Sequence, residues 1–166
     1  MNTAVIVMDL QEGTVGKHHL PFFHYKDDLL KKANRIIEHS KGKTIVYIRT
    51  VMKSGGIYKI IPVKMQPNQP AAQLAEGLKV ISGHIYDKYT GNAFTNPELH
   101  KFLQSKKIKH IEIFGIDGSG CVYKTSRGAI DHGYTVKVLT EATDSTSRVM
   151  MKSKLKKLAK RGAEIV

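Results

Sequence analysis

The chain has 166 residues with a single cysteine and a net charge of +13, because Lys and Arg number 27 against 14 Asp and Glu. One cysteine excludes an internal disulfide, and the apolar start at residues 4–8 is too short for a signal-peptide core or a membrane span. We therefore expect one cytoplasmic domain over residues 1–166 with no membrane partner.

The basic balance is compatible with nucleic-acid or acidic ligands. We favour a solvated basic surface, because the sequence contains no nucleic-acid-binding module. A small-molecule substrate is therefore the expected partner, and nucleic acid is not.

Residues 3–8 form a continuous apolar run that predicts a central parallel strand. Asp9 follows the run directly, at the carboxyl edge of the sheet where open α/β proteins bind ligands. Gln11 comes close behind, and we predict that it contacts the substrate. An amphipathic helix follows over residues 29–37, with Asp27 and Asp28 in its first turn and Gly42 after its end.

Residues 44–48 predict a second buried strand, which ends at Arg49. A guanidinium at this edge could bind a substrate carboxylate, although a surface arginine is an equally good interpretation. Residues 51–73 are rich in glycine and proline and predict long loops, and residues 74–81 a short helix or turn. Lys88 lies in a polar stretch, and Asn96 with Pro97 predicts the start of another helix.

The most informative stretch is residues 111–122, I-E-I-F-G-I-D-G-S-G-C-V. It predicts a buried strand, a glycine-rich turn and a helix that begins near Cys121 and ends at Gly133. A lone cysteine is usually a small buried apolar residue. A thiol at a helix start is more acidic, however, and we therefore expect Cys121 to be largely a thiolate near neutral pH.

Three other glycine motifs do not fit this stretch. Tyr123 stands where a Walker A loop and a dinucleotide-binding loop both need glycine. Asp117 and Cys121 stand where the serine elbow needs glycine around Ser119.

The remaining chain predicts a strand at residues 135–139, a basic helix capped by Ser147 and an edge strand at 163–166. Strands that alternate with helices predict a three-layer α/β/α, Rossmann-like fold around a mostly parallel sheet. We interpret His18, His19 and His24 as loop or surface residues, since no further ligand completes a metal set.

Three pieces, in the expected order, resemble the isochorismatase-like cysteine hydrolases, which include nicotinamidases and N-carbamoylsarcosine amidohydrolases. They read A-V-I-V-M-D-L-Q, K-Y-T-G-N-A-F and F-G-I-D-G-S-G-C-V, and the segment at 133–145 is also similar. The resemblance implies a catalytic triad of Asp9, Lys88 and Cys121. It also implies an oxyanion hole formed by the backbone amides of Asp117 and Cys121, with a cis peptide at Ile116–Asp117.

The chemistry of these side chains fits such a triad. Asp9 can take the proton of Cys121, and Lys88 can stabilise the thiolate and orient Asp9. We further predict that Phe94, in the middle piece, contacts the substrate, and that the protein is a homo-oligomer, either a dimer or a tetramer.

Two residues depart from the resembled pattern: Asp117 replaces a small residue, and Ser119 stands where many members have aspartate. A carboxylate that pointed at the oxyanion would repel it. The metal-binding members carry an aspartate and histidines after the second strand, whereas residues 50–82 contain neither. We therefore expect no metal and no cofactor.

These features predict a metal-independent cysteine hydrolase that acts on a small amide through a thioester. The alternative is a binding or regulatory protein with a vestigial triad. Hydrolysis of the vinyl ether of isochorismate is a third possibility, but members with that activity generally lack the cysteine.

Overall fold

The computed structural model describes residues 2–17, 19, 25, 27–53 and 64–166. Its strands and helices alternate along most of the chain. The elements are β1 (Thr3–Met8), α1 (Leu29–His39), β2 (Thr44–Thr50), β3 (Ile85–Lys88), α2 (Pro97–Ser105), β4 (His110–Gly115), α3 (Cys121–Asp131), β5 (Thr135–Thr143), α4 (Arg148–Ala159) and β6 (Glu164–Ile165).

All the strands run parallel in one sheet of order β3-β2-β1-β4-β5-β6. β1 lies in the middle, and its residues 4–8 are at most 1% exposed because helices cover both faces. The core on one face is built with apolar residues of α2, α3 and α4, and the core on the other with those of α1. The predicted three-layer α/β/α fold is therefore confirmed.

The predicted helix caps are also present. The side chain of Asn96 accepts a hydrogen bond from the Glu98 amide at 3.0 Å, and that of Ser147 accepts one from Met150 at 3.4 Å. Gly133 follows the end of α3 with a φ of 83°, a left-handed conformation that glycine adopts without steric cost.

Three local predictions are wrong. β3 was not predicted, because I-Y-D-K is short and mixes apolar with charged residues. β5 continues to Thr143, beyond the predicted end at residue 139. Asp27 and Asp28 precede the first turn of α1 rather than lying in it, with Asp28 at the N-cap.

The segment between β2 and β3 is mostly irregular where it is described, at residues 51–53 and 64–84, with a 3-10 turn at Pro70–Ala72. The rest of the predicted long loop, residues 54–63, lies outside the described residues, as do His18 and His24. His19 is exposed, as predicted. No helix in the described part of the chain is long and apolar enough to cross a membrane.

Candidate active site

The carboxyl ends of β1, β2 and β3 meet at one edge of the sheet, because the strands are parallel and neighbouring. Asp9 follows β1 and is only 3% exposed. Its φ of 54° is left-handed, a conformation that aspartate tolerates better than most residues. The Thr14 hydroxyl donates to the Asp9 carbonyl at 2.8 Å and so ties this turn together.

Lys88, the last residue of β3, is 1% exposed. Its Nζ lies 2.8 Å from Oδ2 of Asp9 and donates to Sγ of Cys121 at 3.3 Å and to Oγ1 of Thr50. Burial on its own lowers the pKa of Lys88, but the Asp9 carboxylate and the Cys121 sulfur more than offset that effect, so its pKa lies above the ordinary value. The structure therefore brings the three predicted triad residues together around one buried ammonium.

Cys121 is the first residue of α3, as the sequence predicts, and its side chain is partly buried. Burial raises the pKa of its thiol to about 11, and the negative charge of Asp9 adds to the effect, while the Lys88 ammonium opposes it. This direction argues against the expected resting thiolate and favours a neutral thiol. Desolvation and a neighbouring carboxylate oppose ionisation of the thiol, whereas the helix start and the single cation promote it.

The turn that leads from β4 to Cys121 contains the expected cis peptide at Ile116–Asp117. Among the described residues, the backbone amides of Asp117 and Cys121 donate to no backbone carbonyl, whereas those of Gly118, Gly120 and Val122 all do. The pair implied by the resemblance is thus left available to an external acceptor. That these two amides form an oxyanion hole stays a prediction.

Two glycines in this region are needed for close packing. Gly115 has a φ of 119°, and a Cβ there would collide with the Met8 carbonyl of the neighbouring strand. A Cβ on Gly118 would lie 2.5 Å from Sδ of Met151, so the turn packs directly against α4.

The Asp117 carboxylate accepts hydrogen bonds from five groups, all on neighbouring polar residues. Oδ1 accepts from the amide and hydroxyl of Ser119, at 2.8 and 2.6 Å, and from the hydroxyl of Ser145 at 2.6 Å. Oδ2 accepts from the amide and hydroxyl of Thr146 at 3.0 and 3.1 Å. Burial works against ionisation, but these bonds prevail and hold the pKa of Asp117 below its usual value.

The Asp117 carboxylate is therefore bound by Ser119 and by the loop after β5, and these bonds hold it away from the position where it would repel an oxyanion. Ser119, in the place of the usual aspartate, acts here as a donor to that carboxylate.

Arg49 does not face the triad, and its guanidinium is engaged within the protein, so its role as a substrate ligand stays a prediction that this geometry does not support. Its guanidinium makes two bonds to the Asp87 carboxylate, at 2.7 and 2.9 Å, and a third to Gln73 at 2.8 Å. Successive side chains of a strand point to opposite faces of the sheet. Thr50 and Lys88 therefore lie on the face covered by α3, while Arg49 and Asp87 lie on the other.

The side chain of Gln11 is likewise engaged within the protein, so its predicted contact with the substrate stays a prediction that this geometry does not support. Its side chain is fully buried, its Nε2 donates to the carbonyls of Thr50 and Ala72, at 3.0 and 2.7 Å, and its Oε1 accepts from the Thr50 amide at 2.8 Å. Gln11 is therefore a structural bridge that continues the backbone pairing beyond the end of β2.

Phe94 is 6% exposed, and its ring stacks on His132 with the ring centroids 4.9 Å apart. His132 follows the last turn of α3, eleven residues after Cys121, which at 1.5 Å per residue is about 16 Å along the helix. The predicted contact between Phe94 and a substrate stays a prediction, which this distance from Cys121 does not support.

Sequence reasoning missed Thr50 and Tyr25 as parts of this region. Thr50 is a partner of the Lys88 ammonium. Burial raises the pKa of Tyr25 above its usual range, and the negative charge of Asp117 is the next cause. Tyr25 also lines a cavity of about 260 Å³ beside the Asp9 turn, together with Thr14 and His19. No motif in the sequence marks either residue.

The fit of a metal can be examined only in the described ranges. There, no three side chains of His, Cys, Asp or Glu come close enough to hold an ion. The residues present therefore do not form a metal site in that part of the chain.

A search of the solved structures finds the same fold in proteins with low sequence identity. A pyrazinamidase/nicotinamidase from Streptococcus mutans is 19% identical, with a TM-score of 0.86 and 99% of both chains covered. N-carbamoylsarcosine amidase from Thermoplasma acidophilum is 18% identical, with a TM-score of 0.83 and 99% of this chain and 95% of that chain covered. A pyrazinamidase from Pyrococcus horikoshii, solved with zinc, is 26% identical, with a TM-score of 0.79 and 100% and 99% covered.

Among curated proteins, an uncharacterised isochorismatase family protein of Bacillus subtilis is 21% identical over 150 residues, which cover 89% of this chain and 80% of the relative. A probable inactive nicotinamidase of Arabidopsis thaliana is 23% identical over 157 residues, which cover 86% and 80%. The isochorismatase domain model matches residues 3–166. This match covers nearly the whole chain and agrees with the fold, and it shows that the chain belongs to the isochorismatase family.

Proposed function

We propose that the protein is a metal-independent cysteine hydrolase that cleaves the C–N bond of a small amide through a thioester on Cys121. The observation that carries this proposal is the buried Lys88 ammonium, 2.8 Å from Asp9 and 3.3 Å from Cys121. A base, a cation and a nucleophile are held together at the sheet edge where α/β proteins bind ligands.

In this mechanism Asp9 accepts the thiol proton while Sγ of Cys121 forms a bond to the carbonyl carbon of the amide. The C–N bond then breaks, and the proton passes from Asp9 to the leaving nitrogen, which departs as ammonia or an amine. Water attacks the thioester and gives its proton to Asp9. Collapse of the second tetrahedral species releases a carboxylic acid, and Cys121 regains its proton from Asp9.

The negative charge on the carbonyl oxygen needs donors in each tetrahedral species. The backbone amides of Asp117 and Cys121 supply them in the proposed mechanism. Hydrogen bonds from Ser145 and Thr146 to the Asp117 side chain fix the turn that carries these amides.

Two proteins with the same fold support an amide as the substrate class, since they are an amidase and a pyrazinamidase/nicotinamidase. Another relative supports the second candidate, a binding or regulatory protein with a vestigial triad, because it is named a probable inactive nicotinamidase. The high pKa of the Cys121 thiol also favours that candidate, since a resting thiol is a weak nucleophile.

A panel of small amides, including nicotinamide and pyrazinamide, separates the two candidates. The hydrolase releases ammonia or amine, a brief incubation adds the mass of an acyl group to Cys121, and Cys121→Ala abolishes both. Retained turnover in Cys121→Ala would overturn the thioester mechanism. Saturable binding of an amide with neither turnover nor acyl adduct would establish the binding protein instead.

A further inference from the structure

We propose that Thr50 is a positioning residue that directs the Lys88 ammonium at Cys121 by accepting its third hydrogen. An ammonium has three hydrogens to donate, and Lys88 is too deeply buried to give one of them to solvent. Its three partners are the Asp9 carboxylate, the Cys121 sulfur and the Thr50 hydroxyl. The inference rests on the proposed hydrolase function.

The competing acceptor is the second oxygen of Asp9. Both carboxylate oxygens of Asp9 are buried, and neither has a well-oriented hydrogen-bond partner among the described residues, although Oδ2 forms an ion pair with Nζ of Lys88 at 2.8 Å. A carboxylate is a stronger acceptor for an ammonium than a thiol sulfur. Without Thr50, the ammonium can turn so that it donates to both oxygens of Asp9, and Cys121 then loses its cation.

Thr50 suits this position because its acceptor is neutral. A second carboxylate there would also accept the hydrogen, but it would cancel the positive charge that stabilises a thiolate. The hydroxyl orients the ammonium without adding a negative charge, so that of the three partners only Asp9 is a carboxylate.

The backbone around Thr50 is held unusually firmly for the end of a strand. Residues 50 and 88 are register partners in β2 and β3, and both the amide and the carbonyl of Thr50 are bonded to the Gln11 side chain. Gln11, in the turn that carries Asp9, thus links the Asp9 turn to the acceptor of the Lys88 ammonium.

The test compares Thr50→Val, which removes the acceptor at nearly constant shape, with Thr50→Ser, which keeps a hydroxyl. Thr44→Val is the matched control, a threonine on the same face of β2 at its opposite end. We expect Thr50→Val to lower kcat for the best amide by about 10- to 100-fold, the effect of one hydrogen bond to a charged group, with KM changed less than about threefold. Thr50→Ser should regain most of the rate, and Thr44→Val should behave as wild type.

A second readout needs no substrate. Alkylation of Cys121 by iodoacetamide should be slower in Thr50→Val than in Thr50→Ser across the pH profile, because the thiolate has lost its cation. Identical alkylation profiles in the two variants would overturn the proposal, as would a Thr50→Ser enzyme as slow as Thr50→Val. If Thr50→Val does not unfold cooperatively, Thr50→Ala replaces it with the same expected direction. Failure of the hydrolase function itself would show separately, as a wild-type protein that turns over no amide.

Discussion

Replacement of Asp9 by asparagine should make Cys121 more reactive towards alkylation while it abolishes hydrolysis. In the proposed mechanism Asp9 is the base, so Asp9→Asn removes turnover. Its negative charge also helps to hold the pKa of the Cys121 thiol at about 11, and that effect disappears with the charge. The variant thus separates two effects of Asp9: its role as the base in hydrolysis, and its influence on the reactivity of the Cys121 thiol.

The expected size follows from the geometry around Lys88. Nζ lies 2.8 Å from Oδ2 of Asp9 and 3.3 Å from Sγ of Cys121, so the carboxylate and the sulfur are at most about 6 Å apart. Two negative charges at about 6 Å, with an effective dielectric constant of about 20, repel by about 3 kcal/mol. Removal of that repulsion lowers the pKa of the thiol by about 2.

At pH 8 the fraction of thiolate should then rise by about 100-fold. A thiolate of lower pKa is intrinsically less nucleophilic, by about tenfold for this change. The net expectation is that iodoacetamide alkylates Cys121 about tenfold faster in Asp9→Asn than in wild type at pH 8. The chain contains no other cysteine, so the intact mass reports this reaction directly.

Asp87→Asn is the matched control, because it removes a partly buried carboxylate next to Lys88 in the chain but on the opposite face of the sheet. It should leave the alkylation rate near that of wild type. An Asp9→Asn protein that is alkylated no faster than wild type would refute the reasoning. The helix start and Lys88 would then be the dominant influences on the pKa of the Cys121 thiol.

Three further predictions follow from the site. Asp117→Asn should lower the free energy of unfolding by about 1–3 kcal/mol at neutral pH, measured in urea, because an amide nitrogen would face hydrogen-bond donors. The pKa of Asp117 is lower in the folded state than in the unfolded state. The stabilisation is therefore complete above the unfolded-state pKa and is lost as pH falls through the folded-state pKa. A difference in unfolding free energy between wild type and Asp117→Asn that persists unchanged in acid would contradict this prediction. Arg49→Ala should leave KM unchanged and lower stability as Lys43→Ala does, since both residues form partly buried ion pairs; a raised KM would return Arg49 to the substrate site. Hydrolysis should survive EDTA, and loss that zinc restores would assign a metal to the histidines of residues 18–24.

The convergence of Asp9, Lys88 and Cys121 could be predicted because it depends on features that the sequence states strongly. The apolar runs before Asp9 and before Gly115 mark buried strands, and parallel strands bring their carboxyl ends to one edge. Lys88 needed the family resemblance, since its own strand is four residues long and half polar.

The surroundings of the predicted substrate-binding residues could not be predicted, for a different physical reason. Whether Arg49 or Thr50 faces the triad depends on the pleat of β2, and a shift of one residue exchanges the two faces. The partner of Arg49 is Asp87, which lies in the unpredicted β3, so the ion pair could not be foreseen. Nothing in the local sequence reveals that the ring of Phe94 packs at the far end of α3.

A thiol with a pKa of about 11 is compatible with nucleophilic catalysis if charge is conserved within the site. In the resting state the carboxylate of Asp9 and the ammonium of Lys88 cancel, and the Cys121 thiol is neutral. Loss of the thiol proton to solvent would leave an uncompensated negative charge in a buried place, which is why that pKa is high. Attack on a carbonyl moves the proton to Asp9 and the negative charge to the oxyanion, so the site has the same net charge before and after the step. We therefore expect acylation by an amide to depend only weakly on pH between about 6 and 8, where alkylation, which needs the free thiolate, rises about tenfold per pH unit. Parallel pH profiles for the two reactions would show that acylation also proceeds from a thiolate formed in advance, and Asp9 would then not be the base that accepts the proton during attack.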